Sequence, residues 1–142
     1  MNKTLILNDI DIQPLINMNE LLIRFLDLEN LYEVDEKTAM AIVQAFEVSY
    51  ELSWKILQKV LRKYSIDVRF SKEVFLKAAD IRLIDNPKIW FEFLEKRNYT
   101  VRSYEEEILN DLVKIAPIFV KELKSLIENL KKFDIENKKY EI

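Results

Sequence analysis

The complete absence of glycine constrains the fold of this 142-residue chain more than any other feature. Most tight β-hairpin turns need glycine, and only three prolines are present to mark other turns. A fold made of many short strands is therefore disfavoured. Apolar residues instead recur at intervals of three and four, which is the spacing of amphipathic helices. The sequence predicts an all-α protein.

Periodicity and capping residues together predict five helices. Asp35 and Ser71 are interpreted as N-caps, and Asn86–Pro87 as a cap followed by a first helical position. Pro117 lies inside the last apolar stripe and is expected to kink that helix or to mark a boundary. The approximate bounds are residues 14 or 17 to 32, 36 to 64, 71 to 83, 87 to 97 and 104 to 133.

Long helices joined by short links predict an antiparallel four-helix up-and-down bundle with an extra short helix. We expect one domain over residues 1–142, with a core at 14–133, an N-terminal arm at 1–13 and a charged tail at 134–142. Trp54 and Trp90 are expected in the core. No segment approaches the roughly 20 apolar residues of a membrane span, so a cytoplasmic protein without membrane contact is expected.

The composition excludes several classes of site. Without glycine there is no phosphate-cradling loop, dinucleotide fingerprint or nucleophile elbow. Without histidine or cysteine there is no ordinary zinc site and no Ser-His or Cys-His dyad. Asp9 and Asp11 have the spacing of a carboxylate pair, but no further ligand cluster lies near them in sequence. Neither a metal nor a cofactor is expected.

The segment Glu95–Tyr104 contains the candidate binding residues, because it places two arginines, an amide and two phenols at a break between helices. Ser103 followed by Glu106 has the pattern of a capping box, so Arg102 is expected just outside a helix start. Arg97 lies near the end of the preceding helix. Two cations beside a helix N-terminus predict an anion site. The net charge of -3 argues against a general nucleic-acid binder but permits such a local site.

A simpler interpretation of these arginines stays open. Arg97 could cap the end of its helix and pair with a carboxylate such as Glu92, while Arg102 is an ordinary solvated side chain. Glu47 and Glu51 are one turn apart on the second helix and could form a carboxylate pair, but a solvated helix face is the expected role.

Three sequence blocks carry a resemblance to a known family. They are Val43–Lys55, Ser71–Val74 and Ile84–Asn98. In this order and spacing they resemble the nucleotidyltransferase substrate-binding protein family, a branch of the HEPN superfamily, over about residues 20–130. The resemblance implies a HEPN-like helical bundle that forms a homodimer. It also implies a partner, a minimal nucleotidyltransferase usually encoded by a neighbouring gene.

Related pairs act as toxin–antitoxin modules. In them the HEPN protein is a ribonuclease with an Arg-x-x-x-x-His-x-Tyr motif, and the partner adenylylates the tyrosine. By this resemblance Arg97 matches the arginine, Asn98 the polar residue after it and Tyr104 the tyrosine. Arg102 occupies the histidine position, and Ala45 replaces an arginine common in the family.

The loss of that histidine changes the expected chemistry. A guanidinium stays protonated at physiological pH, so Arg102 cannot shuttle the protons of RNA cleavage. The resemblance therefore implies a non-catalytic accessory subunit that binds nucleotide or RNA at a cleft formed by Arg97, Asn98, Arg102 and Tyr104, with Tyr104 as a candidate adenylylation acceptor. The alternative is a metal-independent HEPN ribonuclease with an altered site that uses Arg97 and Asn98. A third interpretation is a helical interaction module whose site has decayed.

Overall fold

The computed structural model describes residues 6–7, 10–28, 35–102 and 105–138, and side chains within 10–27, 35–100 and 105–133. Five helices confirm the all-α class. Two strands of two residues each, which the sequence did not predict, pair as an antiparallel hairpin before the first helix. The elements are β1 (Ile6–Leu7), β2 (Ile10–Asp11), α1 (Gln13–Leu28), α2 (Glu36–Lys63), α3 (Ser71–Asp80), α4 (Pro87–Arg102) and α5 (Glu106–Lys138).

Helix α2 is the centre of the bundle, since it packs against all four other helices. Helices α2 and α5 run in the same direction: their first turns line one hollow, and Tyr64 at the end of α2 packs edge-to-face on Phe133 of α5 with ring centroids 5.3 Å apart. Helix α4 is antiparallel to α5, and Lys96 in the second half of α4 pairs with Asp111 near the start of α5. None of the helices in the described ranges has an apolar stretch long enough to cross a bilayer.

A cluster of buried aromatic rings fixes α4 against α2 and α5. The Phe119 ring of α5 lies 4.7 Å from Phe46 of α2 and 5.0 Å from Phe93 of α4, both edge-to-face. Trp90 is fully buried and stacks on Phe75 of α3, which confirms its expected core position. Such ring pairs contribute about 0.5–1.5 kcal/mol each beyond the burial of their area. The cluster therefore joins four helices in one contact network.

Two of the four predicted helix caps are confirmed, and the fourth, Ser103, lies outside the described residues. The Asp35 carboxylate accepts a hydrogen bond from the Thr38 amide at 2.7 Å, and this bond lowers the pKa of Asp35. The Asn86 side chain accepts from the amide of Lys88 at 3.0 Å. The prediction for Ser71 is wrong, because Ser71 is the first residue of α3 and the N-cap position is occupied by Phe70, which makes no side-chain capping bond.

Both α2 and α3 end in a left-handed residue although the chain has no glycine to place there. Ser65 has a φ of 62° and Arg82 a φ of 64°. After α2, the Ile66 amide donates to the Leu61 carbonyl at 3.0 Å, and the Leu83 amide closes α3 in the same way at 2.9 Å. These are the bonds of a Schellman motif, which usually has glycine at the left-handed position. A non-glycine residue in this left-handed conformation destabilises the folded backbone by roughly 1 kcal/mol.

Other predicted boundaries differ by a few residues. Helix α3 ends at Asp80 rather than near Leu83, because the chain turns left-handed before that residue. Helix α1 is described only to Leu28, so its predicted end near Tyr32 lies outside the described residues. Helix α5 is continuous through Pro117, so this proline does not mark a boundary. Pro117 is solvent-exposed.

Replacing either left-handed residue with glycine is expected to stabilise the fold. Ser65→Gly and Arg82→Gly should each raise the free energy of unfolding by about 0.5–1 kcal/mol, because the relief of strain exceeds the added entropy of the unfolded chain. Lys59→Gly, on the exposed face of α2, is the control and should lower it by about 1 kcal/mol. Urea denaturation measures all three, and a loss of stability in Ser65→Gly equal to that in Lys59→Gly would contradict the account.

Candidate functional site

One carboxylate joins α2 to α4 at the surface of the bundle. The Nη2 atom of Arg97 lies 2.6 Å from Oε1 of Glu51, and the two side chains are 30% and 29% exposed. The other oxygen of Glu51 accepts a hydrogen bond from the Trp54 indole at 3.1 Å and lies 3.6 Å from the Lys55 ammonium. Glu51 therefore holds one cation from α4 and two donors from its own helix.

Helix geometry explains why these groups meet. Trp54 and Lys55 follow Glu51 by three and four residues, which places all three on one face of α2. Arg97 follows Phe93 by four residues, so it lies one turn beyond the buried ring that packs against Phe46, with centroids 6.4 Å apart. The aromatic core thus brings α4 close to α2, and the ion pair forms at the edge of that contact.

The Arg97 guanidinium keeps unused hydrogen-bonding capacity. Its Nε atom is buried and has no acceptor among the described residues. A buried donor without a partner costs about 1–3 kcal/mol, so this atom is a marked exception in the packing. Arg97 also borders an open depression of about 320 Å³ on the surface of α2, whose other lining residues are Glu47, Val48, Glu51, Leu52 and Lys55.

Asn98 faces a different hollow from Arg97. That hollow measures about 300 Å³, and the Lys72 ammonium at its border sits 5.9 Å from the centroid of the Phe91 ring. Successive residues of an α-helix point about 100° apart, which accounts for the separation. Among the described residues these two hollows have no lining residue in common, so Arg97 and Asn98 border different ones. The residues lining the second hollow are Lys72, Phe91, Glu92, Leu94, Glu95 and Asn98.

The break between α4 and α5 is shorter than the sequence predicted. Helix α4 continues to Arg102, so its predicted end near residue 97 is wrong, whereas Arg102 does precede the start of α5. Helix α5 begins at Glu106 rather than at residue 104, and the carbonyl of Glu105 accepts from the amide of Leu109 at 3.0 Å. Ser103 and Tyr104 lie outside the described residues, as does the Arg102 side chain. A single cleft formed by Arg97, Asn98, Arg102 and Tyr104 stays a prediction.

The pairing of Glu51 with Arg97 is the feature of the site that sequence reasoning missed. The ion pair of Arg97 is with Glu51 and not with Glu92, so that alternative is wrong in its partner. Glu51 is part of an interhelical contact rather than a merely solvated face. A signal was available, since Glu51 and Arg97 lie in two different sequence blocks that carried the family resemblance. Within the described part of the chain, no group of three or more acidic side chains is placed to hold a metal ion.

Trp54 differs in role from Trp90. It is only partly buried at the border of the core, where its indole N–H holds the Glu51 carboxylate. The prediction of a plain core residue is therefore incomplete for Trp54. Its polar group serves the site while its ring packs against the bundle, which is the amphipathic use typical of tryptophan.

Tyr50, the neighbour of Glu51, has a buried hydroxyl. The side chain is 1% exposed, and its oxygen makes no hydrogen bond to any described residue. Burial raises the pKa of Tyr50 to about 12, against smaller opposing effects from the Ser71 hydroxyl and the Arg97 charge. Ser71 is thus close enough to act on the phenol, but not in the geometry of a hydrogen bond.

Tyr50→Phe is expected to leave stability at pH 7 unchanged or to raise it by up to about 1 kcal/mol, because it removes an unsatisfied hydroxyl. Above pH 10 the unfolded chain loses the tyrosine proton while the folded protein keeps it to about pH 12. The folded state then binds more protons, so stability falls as pH rises through this window. The phenylalanine variant should show a shallower fall in urea denaturation series between pH 9 and 12.

The exposed Tyr99→Phe is the matched control for this experiment and should retain the pH slope of the parent protein. An equal slope in the parent and in Tyr50→Phe would show that the Tyr50 hydroxyl is not buried in solution.

Comparisons with known proteins agree with this architecture. A family model described as nucleotidyltransferase substrate binding protein like matches residues 11–132. The crystal structure of ttk003001694 from Thermus thermophilus superposes with a TM-score of 0.74 at 22% identity, covering 82% of this chain and 98% of that one. HI0074 from Haemophilus influenzae, described as a substrate binding domain of a nucleotidyltransferase, gives 0.74 at 22% identity, covering 84% and 98%.

At this identity the two structural matches establish a shared fold, and no curated protein matches the sequence. The family match spans most of the chain and includes both Glu51 and Arg97. It confirms the resemblance to nucleotidyltransferase substrate-binding proteins inferred from the three sequence blocks. The chain belongs to the family of nucleotidyltransferase substrate-binding-like proteins.

Proposed function

We propose that this chain is a non-catalytic, substrate-binding subunit that pairs with a minimal nucleotidyltransferase. The observation that carries the proposal is the family match over residues 11–132. The fold shared with HI0074, itself described as a substrate binding domain of a nucleotidyltransferase, supports it. We further propose that the subunit is a homodimer and that its partner is encoded by a neighbouring gene.

The chemistry of the site favours binding over catalysis. Arg97 carries a permanent charge and a planar set of donors that suit a phosphate group of a nucleotide or of RNA. Its side chain is 30% exposed at the border of an open depression, so a ligand can reach it. The sequence has no histidine, and the guanidinium groups of Arg97 and Arg102 cannot exchange protons at neutral pH. Loss of a general acid–base group typically lowers a rate by about 10²–10⁴-fold.

Tyr104 is the proposed acceptor if the pair forms a toxin–antitoxin module in which the partner transfers an adenylyl group. Tyr104 follows Arg102, the last residue of α4, by two positions, so their Cα atoms are at most about 7.6 Å apart. The acceptor would therefore lie near an arginine that could hold the phosphates of the donor nucleotide. Asn98 and Arg102 complete the proposed site with Arg97.

Co-expression with the neighbouring nucleotidyltransferase tests the partnership and the acceptor together. The two proteins should co-purify, and incubation with ATP should place adenylyl groups on Tyr104, as located by peptide mass spectrometry. Tyr104→Phe should abolish the modification, whereas Tyr99→Phe, which removes the other phenol of the junction, should retain it. Modification at another residue would contradict the acceptor role, and failure to co-purify would contradict the partnership.

An RNA cleavage assay tests the absence of catalysis. The purified protein should not cleave single-stranded RNA above the level of an Arg97→Ala variant. Cleavage that is present in the parent protein and lost in Arg97→Ala would overturn the non-catalytic proposal and favour the HEPN ribonuclease with an altered site. Equal cleavage by both proteins would indicate a contaminating nuclease.

A further inference from the structure

We propose that Glu51 is a built-in competitor for the anion site at Arg97, so that a phosphate-bearing ligand binds by displacing this carboxylate. The inference rests on the anion-binding role of Arg97 given above. Its starting point is the 2.6 Å contact between Arg97 Nη2 and Glu51 Oε1, which supplies the guanidinium with an anion from the protein itself. The carboxylate stands where an oxygen of the ligand would bind.

The pair is open to exchange with solvent. Both side chains are about one-third exposed and both line the depression on α2, so a ligand can approach without disrupting the aromatic core. Lys55 borders the same depression. Water partly screens an ion pair of this exposure, and the pair is therefore one that a multiply charged anion can replace.

Glu51 is not left without partners when it releases Arg97. Its second oxygen contacts the Trp54 indole and the Lys55 ammonium, both from its own helix. These contacts do not depend on α4, so they can persist in both arrangements. A carboxylate that keeps a hydrogen bond and a nearby cation after release is destabilised less than a carboxylate that keeps no partner. The site thus has two arrangements, one closed by Glu51 and one open to a ligand.

Arg97 can gain acceptors in the exchange. Glu51 meets the guanidinium at Nη2, and the buried Nε atom of Arg97 has no acceptor among the described residues. A guanidinium binds most tightly when two of its N–H groups meet two oxygens of one anion. A phosphoryl group offers several acceptor oxygens and more than one negative charge. A monocarboxylate ligand offers the same group and the same single charge as Glu51. The geometry favours a di- or triphosphate over a carboxylate ligand.

Calorimetric titration of the full chain with pyrophosphate tests the displacement. Glu51→Gln removes the competing charge and should bind pyrophosphate roughly tenfold more tightly than the parent, which corresponds to about 1.4 kcal/mol. Glu51→Asp keeps the charge but shortens the side chain by one methylene, so it should also bind more tightly. Glu73→Gln, an exposed glutamate of α3, has the same change of charge and should bind like the parent. Thermal unfolding verifies that each variant is folded.

The outcomes separate the two proposals. Tighter binding by both Glu51 variants, with binding lost in Arg97→Ala, supports displacement. If Arg97→Ala abolishes binding but both Glu51 variants bind like the parent, the anion site stands and the competitor role of Glu51 is wrong. Tighter binding by Glu51→Gln alone indicates a general effect of charge and also overturns displacement. If Arg97→Ala binds pyrophosphate like the parent, or if no variant binds pyrophosphate, both the anion-binding role of Arg97 and the competitor role of Glu51 are wrong.

Discussion

The packing of Phe46, Phe93 and Phe119 is the contact on which the rest of the structure depends. These three rings come from α2, α4 and α5, are fully buried, and meet edge-to-face. They set the distance and the rotation of α4 relative to α2. Arg97 follows one turn after Phe93, so the same packing that excludes water from the core delivers a guanidinium to Glu51 at the surface.

The resulting site brings charged side chains together around one carboxylate. Glu51 links Arg97 with Trp54 and Lys55, so one carboxylate meets two cationic side chains and one indole N–H donor. An interhelical ion pair of this kind can hold α4 against α2. It can also keep Arg97 paired until a more highly charged anion displaces Glu51. Both roles follow from one contact, which makes Glu51 as important to the proposed function as Arg97.

Local signals in the sequence predicted local structure well. Asp35 and Asn86 cap their helices as expected because the capping side chain and its amide lie within three residues. The Ser71 cap failed because the chain enters α3 one residue earlier than that pattern assumes. The Glu51 contact could not be read from periodicity, since its partner is 46 positions away and only the packed core brings the two helices together. The family resemblance identified both blocks but not their pairing.

A double-mutant cycle between Glu51 and Arg97 tests the central claim most directly. The free energy of unfolding is measured for the parent, Glu51→Gln, Arg97→Met and the double variant. The account predicts a favourable coupling of about 1–2 kcal/mol, as expected for a charge-assisted hydrogen bond that is only partly screened by solvent. A coupling of zero within error would mean that the two side chains do not meet in solution, and would contradict the account.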